Sequence, residues 1–452
     1  MGKSRQAWVA LALLALVHEG FAACRAAEPR RPNIVLILGD DLGFGDVGFH
    51  GRTEWATPRL DALAKHGRVL DRCYTAAVVC APSRAALMTG KSPVHSGVRR
   101  NDEDVPAEET TIAEALKPLG YQTGIFGKWH HGRPRGGRKT YVHPLDHGFD
   151  EFFGYTDAVV AWEKFPKKIW SGRQEIPITG YFDDLVTDKA IDFIGRSAGK
   201  PFFVYLPLIG SHFNVAAPPE EVALHEAKFT DHGELGKIEA TYAAMVTRLD
   251  RCVGRVVDAL ASAGMTENTL IVFASDHGAT FEKGNQGASA ALDSNHPFRG
   301  QKRTLWEGGV RVPGIASWPG VIAAGGVGRE VVSLTDMLPT FVAAAGGKVD
   351  PAWKLDGLNM LPVWRGQAQA PDRTLFWEWR SEGSNQIAAL HDPFKLVITS
   401  GGKPELFDLA RDPTERRDVS AQYPGRVQEL RSGLMKWLES ETPRDGVVAK
   451  PQ

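Results

Sequence analysis

The segment Cys80-Ala81-Pro82-Ser83-Arg84 sets a thiol just ahead of a proline and a serine that suit the start of a helix, with a guanidinium one turn in. A helix N-terminus collects anions on its free N–H groups, so this spacing suits a site that holds negative charge against Cys80 and Arg84. Two readings of the thiol stay open: a low-pKa nucleophile, or a buried and inert cysteine. Other reactive groups follow apolar runs elsewhere in the chain. Asp40 and Asp41 come after the first run, Lys128, Trp129, His130 and His131 after a second, His212 after a third, and Asp276 and His277 after a fourth. Adjacent carboxylates resist ionising together unless a cation joins them. With Asp276 they make three hard oxygen donors of the kind Ca2+ or Mg2+ takes. A turn or a helix cap is the other reading of the Asp pair.

Groups so distant in sequence meet only if the chain builds an α/β fold in which a mostly parallel sheet, flanked by helices, delivers strand ends to one edge. The pattern predicts buried strands at Asn33–Gly39, Tyr121–Gly127, Phe202–Leu208 and Leu270–Ser275, each a continuous apolar run. Helices are predicted at Pro58–His66 behind Thr57 as N-cap, at Thr111–Leu119 closed by Gly120, at Asp183–Ile194, and at Glu234–Ala263 closed by Gly264. Beyond about Leu375 the texture changes. Short strands at Ile387–Leu390 and Phe394–Thr399, then a helix at Val427–Leu438, predict a small antiparallel sheet with a terminal helix. The expected organisation is residues 28–374 as the catalytic domain and 375–452 as a C-terminal subdomain.

Residues 1–27 read as a signal peptide, with Lys3 and Arg5 ahead of the apolar Trp8–Val17 and small residues around Ala22 and Ala26. That run is too short for a transmembrane helix, so an exported protein (periplasmic, secreted or lysosomal) is expected. Lipid attachment at Cys24 is the alternative, against which Phe21 is a poor fit. Lys and Arg total 53 against 54 Asp and Glu, with no block of like charge, so nothing calls for nucleic acid as a partner. Four cysteines are too few for a disulfide framework, and Cys73 and Cys252 read either as a pair or as two buried thiols. Glycines 43, 45 and 48 match a dinucleotide-binding fingerprint, but Asp40, Asp41 and Asp46 would repel a pyrophosphate there.

Cys80-x-Pro82-Ser83-Arg84 followed by Met88-Thr89-Gly90 resembles the signature of the formylglycine-dependent (type I) sulfatases of the alkaline-phosphatase superfamily. Asn33–Asp46 looks like the family's opening strand and metal loop, Gly127–His130 like its G-K-W-H segment, Ser275–Gly278 like its second metal motif, and Gly300–Gly309 like the segment with its second sulfate-binding lysine. The resemblance implies an alkaline-phosphatase-like fold and a nucleophile made by oxidising Cys80 to formylglycine (3-oxoalanine), with a formylglycine-generating enzyme as maturation partner. It implies one Ca2+ held by Asp40, Asp41, Asp276 and His277 together with the converted Cys80. Lys128, His212 and Lys302 would bind sulfate, Arg84 would orient the formylglycine hydroxyls, His130 would take a hydroxyl proton, and His212 would protonate the leaving oxygen. His277 stands where Asn is common in the family, and the residues around His212 lack a neighbouring proline often found there. His131 is read as a pocket residue behind His130. The implied substrate is a sulfated carbohydrate or an aryl sulfate. The alternatives are a phosphate or phosphonate ester hydrolase of the same superfamily, and a catalytically silent glycan-binding relative. The loops at 99–104 and 158–178 are expected to shape the outer pocket.

Overall fold

Four apolar runs form the middle of the molecule: β1 (Asn33–Gly39), β2 (Gln122–Lys128), β3 (Phe202–Pro207) and β4 (Thr269–Ser275). They belong to a computed structural model that describes residues 31–132, 142–157, 162–281, 285–381 and 385–440. The predicted signal peptide and Cys24 lie outside the described residues, as do residues 158–161 of the second pocket loop. In space the four strands run in the order β4-β1-β3-β2, and every neighbouring pair is parallel. All four carboxyl ends therefore reach the same edge. Glu151–Tyr155 extends the sheet in parallel beyond β2, followed by the antiparallel hairpin Lys168–Ser171 and Gln174–Pro177. On the other side Gly314–Ser317 pairs antiparallel with β4, and Arg68–Leu70 and Gly326–Gly328 complete ten strands among the described residues.

Period-two alternation sorts the strand side chains into two cores. Val35, Ile37, Val204, Leu206, Ile271 and Phe273 pack on one face with helices α3 (Phe182–Arg196) and α4 (Glu234–Ser262). Ile34, Leu36, Phe203, Tyr205, Leu270 and Val272 pack on the other with Ile112–Leu116 and Met337–Ala344. Cys252 sits in the first core and Cys73 in the second; both are free thiols, so the possible pair does not form. Among the described residues, no helix is long and apolar enough to cross a membrane.

Helix α1 (Pro58–His66) begins with proline as predicted, but Thr57 does not cap it through its side chain. The Thr57 hydroxyl instead accepts from Gly48 N (2.7 Å) and donates to Asp61 (3.1 Å). The first free N–H groups of α1 go to Asp250 of α4, from Leu60 at 2.7 Å and Arg59 at 3.1 Å. A tertiary cap has replaced the local one. The predicted Thr111–Leu119 helix divides into Ile112–Leu116, held by a Thr111/Glu114 capping box, and a tighter turn at Lys117–Leu119. Helix α2 (Cys80–Thr89) begins at Cys80 itself, with Val79 as the extended residue ahead of it, so the thiol lies in the first turn rather than before it. Thr374–Trp379, Gln386–His391, Phe394–Thr399 and Glu405–Asp408 make the separate antiparallel sheet, and α5 (Pro424–Glu439) packs on it.

Candidate active site

The sulfur of Cys80 lies 3.2 Å from His277 Nε2, 3.6 Å from Asp40 Oδ1 and 3.8 Å from Lys302 Nζ. Each neighbour comes from a different segment, at or beyond a strand end. Asp40 and Asp41 follow β1, and consecutive extended residues would point to opposite faces. Asp41 instead adopts φ 61°, a left-handed turn that costs a non-glycine residue energy and brings both carboxylates into one cluster. Its N–H donates to Asp276 Oδ1 at 3.1 Å, tying the ends of β1 and β4 together.

Each carboxylate has a buried cation. Lys128 Nζ donates to Asp40 at 2.8 Å, Lys302 Nζ reaches both oxygens of Asp41 at 2.8 and 2.9 Å, and Arg84 grips one oxygen of Asp276 through Nε (3.1 Å) and Nη2 (2.9 Å). Arg84 Nη2 also lies 3.0 Å from Asp40, and its Nη1 donates to the Lys128 carbonyl at 3.2 Å. Three acids, three strong bases and the thiol are all at most 2% exposed. Burial pushes the Cys80 thiol up, but Lys128, Lys302 and His277 overcome it and hold the group well below its usual range. Burial raises Asp276 and the charge of Asp40 adds to that, a repulsion that a divalent cation would relieve. His277 is raised to about 9: burial opposes its charge, and Asp276 and Cys80 favour it.

The ligand atoms of Asp40, Asp41, Cys80 and His212 lie within 4.8 Å of one another, and those of Cys80, Asp276 and His277 do likewise. Buried carboxylates converging at that spacing suit a divalent metal. Nitrogen from His277 is the one donor less typical of Ca2+.

Two histidines face this centre. His130, at φ 81°, has Nε2 3.3 Å from the Asn101 carbonyl, which fixes the proton on that nitrogen and leaves a buried Nδ1 without a hydrogen-bond partner. Burial pushes His130 down to about 4 against the pull of the Cys80 thiol, so the ring is a neutral acceptor at pH 7. His212 is held at Nδ1 by the Phe213 carbonyl at 2.5 Å, and its Nε2 lies 3.9 Å from Asp41. His131 is buried edge-on to Trp129, with ring centroids 5.3 Å apart.

All the sequence-predicted site residues thus gather in one place; their supports were not foreseen. Asn101, within the first pocket loop, accepts from Ala81 N at 2.9 Å at the start of α2 and from His130 through its carbonyl. Asn295 ties the loop after β4 to the one bearing Lys302, accepting from Ala279 N (2.8 Å) and donating to Ala279 O and Gly300 O (3.1 Å each). A Cβ on Gly278 would stand 1.8 Å from the Gly308 carbonyl, so only glycine lets those two loops meet.

A family model described as Sulfatase matches residues 32–347, and one described as N-sulphoglucosamine sulphohydrolase, C-terminal, matches 296–442. The chain belongs to the sulfatase family. It is 34% identical to the N-acetylgalactosamine-6-sulfatase of Canis lupus familiaris over 81% of this chain and 71% of that one. It is 30% identical to the steryl-sulfatase of Mus musculus over 89% of this chain and 80% of the mouse protein. Among solved structures, Ps i-CgsB superposes with a TM-score of 0.82 at 31% identity, covering 91% of this chain and 94% of that one, and a second structure holds the same protein in complex with k-i-k-neocarrahexaose. A phosphonate monoester hydrolase of Agrobacterium radiobacter shares the fold at 22% identity and a TM-score of 0.65. The chemistry of this sulfatase is hydrolysis of sulfuric esters, carried out around the buried Asp, Cys and His cluster.

Proposed function

We propose that this sulfatase removes sulfate from a carbohydrate, with Cys80 converted to formylglycine by a formylglycine-generating enzyme and with one bound Ca2+. The observation that carries the reading is that His277 and Lys302 meet the Cys80 sulfur while Arg84 and Lys128 pair with the carboxylates Asp276 and Asp40 beside it. Such a cluster stabilises an anion at the sulfur position and balances its own charge around a cation. The converted side chain would supply a hydrated aldehyde, one hydroxyl attacking sulfur and the other letting the aldehyde re-form as sulfate leaves. Asp40, Asp41, Asp276 and His277 would hold Ca2+ together with that side chain, and the ion would supply positive charge to the sulfate oxygens.

The residues of the chain do the rest. Lys128 and Lys302 neutralise sulfate oxygens from two sides as charge develops. Arg84, pinned by Asp276 and Asp40, orients the hydroxyls at position 80. The free Nδ1 of His130 takes the hydroxyl proton during sulfate release, a role that needs the neutral ring. His212 donates a proton to the leaving oxygen from Nε2 in its doubly protonated form, its Nδ1–H being held by the Phe213 carbonyl. Support for a sugar substrate comes from the N-acetylgalactosamine in the name of one relative and the k-i-k-neocarrahexaose in complex with another. Export through residues 1–27, and a division into 28–374 and 375–452, complete the reading.

The test is turnover of matched sulfate and phosphate esters of one alcohol by the purified protein. The sulfatase reading expects the sulfate ester to be cleaved faster. Faster phosphate cleavage would put the chain with the phosphonate and phosphate hydrolases, and no turnover of either would leave a glycan-binding protein.

A further inference from the structure

Outside the charged cluster, a line of rings leads from the reaction centre to solvent. The His212 imidazole stacks on Phe213 with centroids 4.2 Å apart and planes at 25°, and Phe213 meets Trp162 at 5.2 Å and 46°. Lys302 Nζ stands 5.7 Å from the centre of the Phe213 ring, so the ring lies beside the charged centre. Trp162 is 40% exposed, unlike the fully buried Trp55 and Trp129. Single exposed aromatics are common on protein surfaces, but this one ends a ladder whose inner rung faces the metal-site carboxylates.

The two segments that carry these rings are bolted together. Lys164, two residues after Trp162, is 2% exposed, and its ammonium donates to the carbonyls of Ile209 and Gly210 just before His212. Asp183 accepts from Ile209 N at 2.9 Å on the same turn. A buried lysine spent on two carbonyls, with desolvation pulling its pKa down to about 8, gives the ladder a fixed geometry before anything binds.

We propose that Trp162 and Phe213 form the platform on which the sugar ring bearing the sulfate lies, with its C–H face on the indole. This rests on the proposed carbohydrate substrate. The leaving oxygen lies at His212, so the ring attached to it falls over the next rungs of the ladder. Among the described residues the two rings supply one aromatic face, which His212 and Lys302 border. An aromatic face of this kind suits the apolar C–H face of a pyranose.

The test compares wild type, Trp162→Ala and Trp162→Phe on a galactose-series 6-sulfate and on an acyclic alkyl sulfate whose leaving group has similar basicity. Melting temperature and aldehyde content at position 80 verify that the variants are folded and matured. Trp162→Ala is expected to lower kcat/KM for the sugar sulfate roughly tenfold more than for the alkyl sulfate, mainly through KM, and Trp162→Phe to recover most of that difference. Equal losses on the two esters, or none, would overturn the platform. Wild type that turns over the alkyl sulfate but no sugar sulfate would instead overturn the carbohydrate reading on which the platform rests.

Discussion

Replacing Arg84 with lysine keeps the positive charge and removes the fork. The guanidinium makes four contacts: two to Asp276 at 2.9 and 3.1 Å, one to Asp40 at 3.0 Å and one to the Lys128 carbonyl at 3.2 Å. A lysine ammonium is a point charge on a shorter reach and can keep about two of them. Charge-assisted hydrogen bonds contribute about 1.5–3 kcal/mol each, so losing two from a buried site costs about 3–6 kcal/mol in total. Part of that loss falls on folding. If half of it is expressed in the transition state, kcat/KM drops by roughly 10 to 150-fold. Steady-state turnover of an aryl sulfate by Arg84→Lys, alongside urea unfolding of the same protein, separates the two shares. Turnover within twofold of wild type at unchanged stability would refute the assignment of Arg84 as the group that orients position 80.

Other perturbations test the supports and the ion. Gly278→Ala puts a Cβ 1.8 Å from the Gly308 carbonyl and must push the Lys302 loop away; we predict about 1–3 kcal/mol of destabilisation with at least tenfold lower turnover, read by thermal melting and kinetics. Burial pushes Asp250 up to about 6 against the α1 N–H groups it accepts from, so its stabilising share is full below about pH 4 and lost as pH rises through about 6. Asp250→Asn keeps an acceptor for α1 and should flatten the fall in unfolding free energy between pH 4 and 7 by about 2–3 kcal/mol relative to wild type; identical pH slopes would contradict it. Chelation should lower both turnover and melting temperature, with Ca2+ restoring both, because an ion at 100 times its Kd stabilises by about 2.7 kcal/mol. An unchanged melting temperature after verified metal removal would contradict the metal site.

How much of this was legible in the sequence depends on how local each cause is. The four central strands were readable because a strand buried on both faces is a continuous apolar run, and their ends named Asp40, Lys128, His212 and Asp276 directly. Parallel order then did the geometric work, since neighbouring parallel strands bring their carboxyl ends to one edge. Local chemistry also predicted the Pro58 start of α1 and, from the residue pattern, the helix at Thr111. The cap of α1 was misjudged because its acceptor, Asp250, is 190 residues away from Leu60 and no local pattern announces it. The one-residue shift at Cys80 has the same character: Pro82 suggested a later start, but the Asn101 side chain satisfies Ala81 N and lets the helix begin earlier. Asn295 gave no signal, and the 158–178 loop was expected at the outer pocket without Lys164, Trp162 or the partner ring Phe213 being singled out, since each acquires its role only through contacts between distant loops. Gly278 followed a recognised motif, but its need for glycine comes from the Gly308 carbonyl it meets.

Whether the nucleophile is made from Cys80 is read by mass spectrometry of the peptide spanning Cys80 in protein from its native host. An aldehyde is expected at that position, trapped by a hydrazide or aminooxy reagent, in turnover-competent material. A fully unmodified thiol in protein that hydrolyses sulfate esters would contradict it.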